Sequence, residues 1–172
     1  GVIREPLAGV DATMPIRADV KHGVTGYRTA VKALLALHDV PAARVDERLG
    51  DDRTCFLPST ALSLSDLESA LRRVVAPGSH AKLGKVRYEG DEYLSDVIGG
   101  MPAQTDGQRA LDLGLPPETD VETLIREYAE DFPHALATGV KLTAAPKPPT
   151  KAAAGAFRVA LITGGGTGIG QA

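Results

Sequence analysis

Residues Thr143 to Gly155 read Thr-Ala-Ala-Pro-Lys-Pro-Pro-Thr-Lys-Ala-Ala-Ala-Gly, and none of these side chains is large enough to anchor a core. The prolines hold the centre of the stretch extended, at roughly 3.1 Å per residue where it is polyproline-like, so it separates modules instead of packing them. The chain therefore divides into a body over residues 1–133, a linker over 134–156 and a short tail over 157–172.

The tail reads Arg158-Val-Ala-Leu-Ile-Thr163-Gly164-Gly165-Gly166-Thr167-Gly168-Ile169-Gly170. An apolar run that turns abruptly into glycines is the pattern of a buried parallel strand entering a helix. Glycines allow the tight turn and bring backbone N–H groups close to a pyrophosphate, while the helix that follows offers its positive end to the anion. Thr163, Gly164, Gly168, Ile169 and Gly170 are the candidate cofactor-binding residues. The chain stops at Ala172, before that helix, before any residue that would select NAD or NADP, and before any catalytic group of such a module. The tail is accordingly expected to be disordered or loosely docked, with no cofactor bound to this chain alone.

The body is long enough to bury a core. With 43% hydrophobic and 24% charged residues and a net charge of −3, the chain as a whole has no basic stripe to attract nucleic acid. Cys55 is the single cysteine, so no internal disulfide forms, which fits a reducing, cytoplasmic setting. No apolar run reaches the roughly 18 residues needed to cross a bilayer, and a membrane is not an expected partner. The sequence begins at Gly1 and ends within a motif, which is the expectation for a fragment of a longer product.

Within the body, Gly1-Val-Ile suggests a short strand leading to a turn at Glu5-Pro6, and Asp11 to Val24 a loop with an edge strand. Tyr27, Ala30, Val31, Leu34, Leu35 and His38 recur at helical spacing as an apolar stripe that should face the core, and Pro41 ends that helix. Thr54 to Leu57 reads as a short buried strand stopped by Pro58. Ser65, with Glu68 three residues later, has capping-box spacing ahead of a helix carrying Leu67, Leu71 and Val75. Gly84 to Glu89 reads as a strand and Asp91 to Ile98 as a helix closed by Gly99-Gly100. Asp106 should cap a helix from Gln108, and Thr119 with Glu122 a last helix whose Val121, Leu124, Ile125 and Tyr128 dock on the domain.

Chemistry-bearing residues are sparse. His22, His38, His80 and His134 have no paired metal-ligand spacing, so capping or solvent-exposed roles are expected and no metal site. Cys55 lies in an apolar run and reads as inert core. Glu122, Glu127, Glu130 and Asp131 form an acidic helical face that reads as solvated.

Three stretches carry a family resemblance: Gly1-Val-Ile-Arg4-Glu5-Pro6-Leu7-Ala-Gly9; Met14-Pro15-Ile16 followed by Thr25-Gly-Tyr-Arg28-Thr-Ala30-Val31; and Arg109-Ala-Leu-Asp-Leu113-Gly114-Leu115. Together they make the body resemble the carboxy-terminal, substrate-side part of an extended short-chain dehydrogenase/reductase of the NAD-dependent epimerase/dehydratase branch, closest to the D-erythronate dehydrogenase group. The Thr-Gly-x-x-x-Gly-x-Gly tail resembles the opening of a second short-chain dehydrogenase/reductase domain. The resemblance implies an α/β fold: late strands and the substrate lobe of a Rossmann-type enzyme, then the linker and first strand of a second Rossmann domain. It also implies NAD or NADP as cofactor of the full-length protein, a small sugar-acid substrate, and a homodimer among the candidate assemblies.

The resemblance further implies a Tyr-x-x-x-Lys dyad, which this chain lacks; Tyr27 and Lys32 are five positions apart and would not aim at one hydroxyl, so no catalytic residue is assigned. Relatives carry an aromatic near Gly23 and a proline near Tyr27, so the pocket floor differs here. Arg4 and Arg28 match family positions and are the candidate substrate-binding residues, since a guanidinium can clamp a carboxylate through two parallel hydrogen bonds. The alternative for each is a surface or structural ion pair. For the chain as a whole, the alternative to a substrate-recognition part is a non-catalytic interaction module or a fragment with no activity of its own. Its apolar faces, without a cofactor half, should leave it marginally stable or self-associating.

Overall fold

The computed structural model describes residues 1–145, and the linker's proline-rich centre and the whole tail lie outside them. The elements, in chain order, are α1 (Arg4–Leu7), β1 (Ala12–Met14), β2 (Lys21–Val24), α2 (Tyr27–Asp39), α3 (Ala42–Leu49), β3 (Thr60–Ser63), α4 (Leu64–Val74), β4 (Val86–Tyr88), α5 (Glu92–Gly99), α6 (Gln108–Asp112) and α7 (Val121–Asp131). Short 3-10 turns cover Pro77–Lys82 and Pro133–Ala135. The mixed α/β class is as expected.

The strands form two small ladders. β1 runs parallel to β4 with Thr13 opposite Arg87, and β2 antiparallel to β3 with His22 opposite Leu62. Gly84 lets the first ladder close, because a Cβ there would overlap the Val10 carbonyl. The central core lies between α4 and α7: Leu71, Val74, Val75 and Ile125 are fully buried together with Leu7. A second cluster gathers Ala33 of α2, Leu49 of α3, and Ala110, Leu113 and Leu115 around α6.

Several boundaries differ from the sequence expectation, each for a physical reason. Gly1 to Ile3 is not a strand: the Leu7 amide donates to the Ile3 carbonyl, and Pro6 sits in the first turn of α1, where its missing N–H costs nothing. The capping box of α4 is Ser63 with Asp66, two residues ahead of Ser65 and Glu68. The Asp66 amide donates to Ser63 Oγ at 3.1 Å and the Ser63 amide to Asp66 Oδ2 at 2.9 Å. Starting there puts Leu64, Leu67 and Leu71 on the buried side. His80 Nε2 lies 3.0 Å from the Arg72 and Val75 carbonyls and closes the other end of the helix. α7 is capped by Asp120, which accepts from the Thr123 amide at 3.0 Å, instead of by Thr119.

The linker's expected start at His134 also moves. Leu136, Val140 and Leu142 pack against the central core, Leu142 bridges to Val75, and the Thr143 amide donates to the Val74 carbonyl at 2.8 Å. These spaced aliphatic residues are large enough to anchor the chain to the body.

The largest correction concerns α2. Its buried side carries Thr29 and Ala33, with Ala36, Leu37 and Val40 packed beside them, whereas the expected core stripe of Val31, Leu34 and Leu35 is exposed. Thr54 to Leu57, expected as a buried strand, pairs with no strand among the described residues.

Candidate functional site

A largely apolar cavity of about 440 Å³ opens where α1, β2, α4 and α7 meet. Val2, Ile3, Leu64, Leu67 and Leu124 form its walls, and Arg4, His22, Thr25, Tyr27 and Tyr128 bring polar atoms to it. Local sequence explains the convergence. The Ser63/Asp66 box orients Leu64 and Leu67 inward, β2 carries His22, and Gly26 lets Leu124 of α7 approach, since a Cβ on Gly26 would overlap the Leu124 side chain.

Gly26 also opens α2. Its amide donates to Glu118 Oε2 at 2.7 Å, and Thr29 Oγ1 donates to Glu118 Oε1 at 3.2 Å. A carboxylate from the loop before α7 thus satisfies the helix start that Gly26 cannot cap with its own side chain. Sequence reasoning missed Glu118, because no local spacing links it to a helix 92 positions away.

Arg4 lies on the rim of the cavity, with most of its side chain in solvent and Nη2 donating to Glu5 Oε1 at 2.7 Å. The Arg4 hydrogen bond lowers the Glu5 carboxyl below its ordinary range. Arg28 is elsewhere. Its Nε and Nη2 donate to Asp131 Oδ2 and Oδ1 at 2.8 and 2.5 Å, its Nη1 donates to Glu130 at 3.0 Å, and Glu127 lies 3.8 Å away. The acidic face read as solvated therefore holds Arg28, and a substrate carboxylate would have to displace Asp131. The structure brings Arg4 to the cavity and does not bring Arg28 to it.

Tyr27 and Lys32 form no dyad: the Tyr27 hydroxyl is bonded to Asp131, and Lys32 is exposed on α2. Burial first, and the Asp131 contact second, raise the Tyr27 hydroxyl above its ordinary value, the wrong direction for a proton acceptor. His22, passed over as a capping or solvent residue, lines this cavity and a second one beside Gly23 and Phe56, and its buried Nδ1 has no hydrogen-bond partner among the described residues. β2 alternates in burial, and His22 falls on its less exposed side. Cys55 is half-buried against the α2 cluster, and burial pushes its thiol up, away from nucleophilic chemistry.

Among the described residues, no group of three or more His, Cys, Asp or Glu could hold a metal ion, and no helix is long and apolar enough to cross a membrane. Gly26 does join β2 to the start of α2, but its amide is taken by the Glu118 carboxylate and the Leu124 side chain fills the space beside it, so no pyrophosphate cradle is open there. The described residues do not fit a dinucleotide. Thr163, Gly164, Gly168, Ile169 and Gly170 lie outside them.

No family model matches the chain. It is 33% identical over 131 residues to a D-erythronate dehydrogenase from Cupriavidus necator, the match covering 76% of this chain and 38% of that protein. A D-erythronate dehydrogenase from Haemophilus influenzae is 24% identical over 129 residues, 75% of this chain and 39% of its own length. Among solved structures, a nucleoside-diphosphate-sugar epimerase from Agrobacterium tumefaciens superposes with TM-score 0.65 at 26% identity, over 78% of this chain and 37% of that one. An L-threonine dehydrogenase from Cupriavidus necator in its holo form, 17% identical with TM-score 0.61 over 76% of this chain and 39% of its own, shares the fold alone. The chain is thus partially homologous to D-erythronate dehydrogenases and matches part of extended short-chain dehydrogenase/epimerase structures, spanning under two fifths of the curated relatives it matches.

Proposed function

We propose that this chain is the substrate-recognition part of an NAD(P)-dependent oxidoreductase that acts on a hydroxyl of a small sugar acid, with D-erythronate as the first candidate. The observation that carries this reading is the cavity with Arg4 on its rim, in a chain partially homologous to D-erythronate dehydrogenase. The apolar wall of Leu64, Leu67 and Leu124 excludes water from one side of a bound substrate. A polar rim orients it, the usual division of labour in a small-molecule site.

Arg4 is the group for the carboxylate. Its present partner is the adjacent, half-buried Glu5 carboxylate, while the Arg4 side chain itself is 70% exposed, so solvent weakens the pair that a ligand carboxylate would compete with. His22 is placed to meet a hydroxyl. The residues of this chain bind and orient; a nicotinamide dinucleotide held by the rest of the parent protein would accept the hydride, and the proton acceptor would also lie there.

The test is a dinucleotide-reduction assay of the full-length parent with a panel of four-carbon sugar acids. Turnover of at least one acid is expected, with Arg4→Gln raising KM about tenfold or more while kcat changes less, as for a lost ground-state contact. Arg28→Gln should leave KM within about twofold. No reduction with any sugar acid, or a KM indifferent to Arg4, would overturn the reading in favour of a non-catalytic module.

A further inference from the structure

His22 stands apart from the other three histidines. His80 is committed to the Arg72 and Val75 carbonyls, His134 meets the Phe132 ring edge-on at 6.3 Å, and His38 is exposed on α2. His22 is half-buried on β2, and its Nδ1, closed off from solvent, has no hydrogen-bond partner among the described residues. Leaving a buried polar atom unpaired is costly, so nearly all such atoms in folded proteins have a partner, and one that does not calls for a reason.

The surroundings of the ring supply one. The cavity at Arg4 and the cavity beside Phe56, each of about 440 Å³, have only His22 and Thr25 in common. Thr25 is engaged, its Oγ1 donating to the Pro58 carbonyl at 2.9 Å. The Tyr27 hydroxyl is held by Asp131, and Leu64, Leu67 and Leu124 offer no hydrogen bond at all. The imidazole, which borders both cavities, has room for a half-turn about its Cβ–Cγ bond, a soft two-fold torsion that exchanges Nδ1 with Cδ2. Its unpaired nitrogen is therefore within reach of a ligand without any movement of β2.

We infer that His22 is the specificity residue of this site: its Nδ1 pairs with one hydroxyl on the carbon chain whose carboxylate Arg4 holds, so that acids lacking that hydroxyl bind poorly. This rests on the function proposed above. Arg4 takes the charged end of the acid, and the group left for His22 is a neutral one. A hydroxyl fits because it both donates and accepts, and so satisfies the nitrogen in either tautomer. A methylene in its place leaves Nδ1 unpaired and removes it further from water. By that asymmetry a polar site rejects a deoxy analogue more strongly than an apolar pocket rejects a hydroxyl. The role is recognition alone, and no bond is made or broken at His22.

Calorimetric titration of the full-length parent tests this, with the reduced nicotinamide dinucleotide bound so that no hydride passes. The ligands are D-erythronate and its 2-, 3- and 4-deoxy acids. One of the three deletions should weaken binding at least about tenfold. In His22→Phe, D-erythronate should weaken by a similar factor while that deoxy acid stays within about twofold, closing the gap between them. His22→Ala repeats the comparison with a smaller side chain. His22→Asn, whose amide can stand in for Nδ1, should keep a gap of at least about threefold, and Arg4→Gln should weaken all four acids alike. A purely structural histidine would weaken them together as well. A gap that survives in His22→Phe and His22→Ala overturns the inference, as does a parent that binds all four acids equally or a gap lost as fully in His22→Asn as in His22→Phe. Each of these outcomes leaves the proposed reaction standing, whereas a parent that binds none of the acids removes the reaction and the role of His22 with it.

Discussion

The Arg28 guanidinium grips both carboxylate oxygens of Asp131, at 2.5 and 2.8 Å, and so ties the first turn of α2 to the last turn of α7 across 103 residues of sequence. The contact holds Asp131 at a pKa of about 2, chiefly through the Arg28 hydrogen bonds and then through the Tyr27 hydroxyl. It joins the two helices beside the cavity that Tyr27 and Leu124 line.

A carboxyl depressed in the folded state contributes stability that is complete above its unfolded pKa of about 4 and lost as pH falls through its folded value. The melting temperature should therefore fall between about pH 4 and pH 2, and Asp131→Asn should be less stable than the parent chain at neutral pH and lose less over that acid window. Thermal melts of both proteins from neutral to acid pH measure it; parallel curves for the two would contradict the linkage.

The Ser63/Asp66 box is the start signal of the helix that carries most of the central core. Replacing Ser63 by Ala removes the acceptor of the Asp66 amide and should destabilise the chain by about 1 kcal/mol. Ser65, whose hydroxyl only meets Ser63 Oγ at 2.9 Å, should cost clearly less when replaced by Ala. Urea unfolding of the two variants ranks them, and the reverse order would move the cap back to Ser65.

Tyr88 donates to Glu68 Oε2 at 2.9 Å from a partly buried position on β4. Burial first, and then the Glu68 carboxylate, push its hydroxyl up to about 12. A raised pKa means that the unfolded chain releases this proton first, near pH 10, so the stability it contributes is present below about pH 10 and lost on approach to about pH 12. Following tyrosinate absorbance against pH, Tyr88→Phe should remove the last-titrating component and leave the earlier ones in place. Loss of an earlier component instead would contradict the contact.

Local signals were legible where one short segment contains both partners. The Asp106 carboxylate accepting from the Gln108 amide at 2.9 Å is one case. Ahead of α4 the sequence shows capping spacing twice, Ser63-x-x-Asp66 and Ser65-x-x-Glu68, which are equivalent as strings, and only burial of Leu64 separates them. Arg4 was legible as a candidate by its match to a family position. His22 was not, since its significance comes from two cavities that exist only after β2 has paired with β3.

By itself the sequence determined where the chain can be helical and where it must turn, because helix period and capping spacing are properties of neighbours along the chain. Only the tertiary structure decided which apolar side of α2 is buried, that Leu136 to Thr143 belongs to the body, and that Arg28 is bound to Asp131 while Arg4 stands at the cavity. A helix with two apolar faces carries no local preference between them. The choice is made by which neighbour arrives: here α3 and α6 cover one face of α2, and the other remains bare among the described residues.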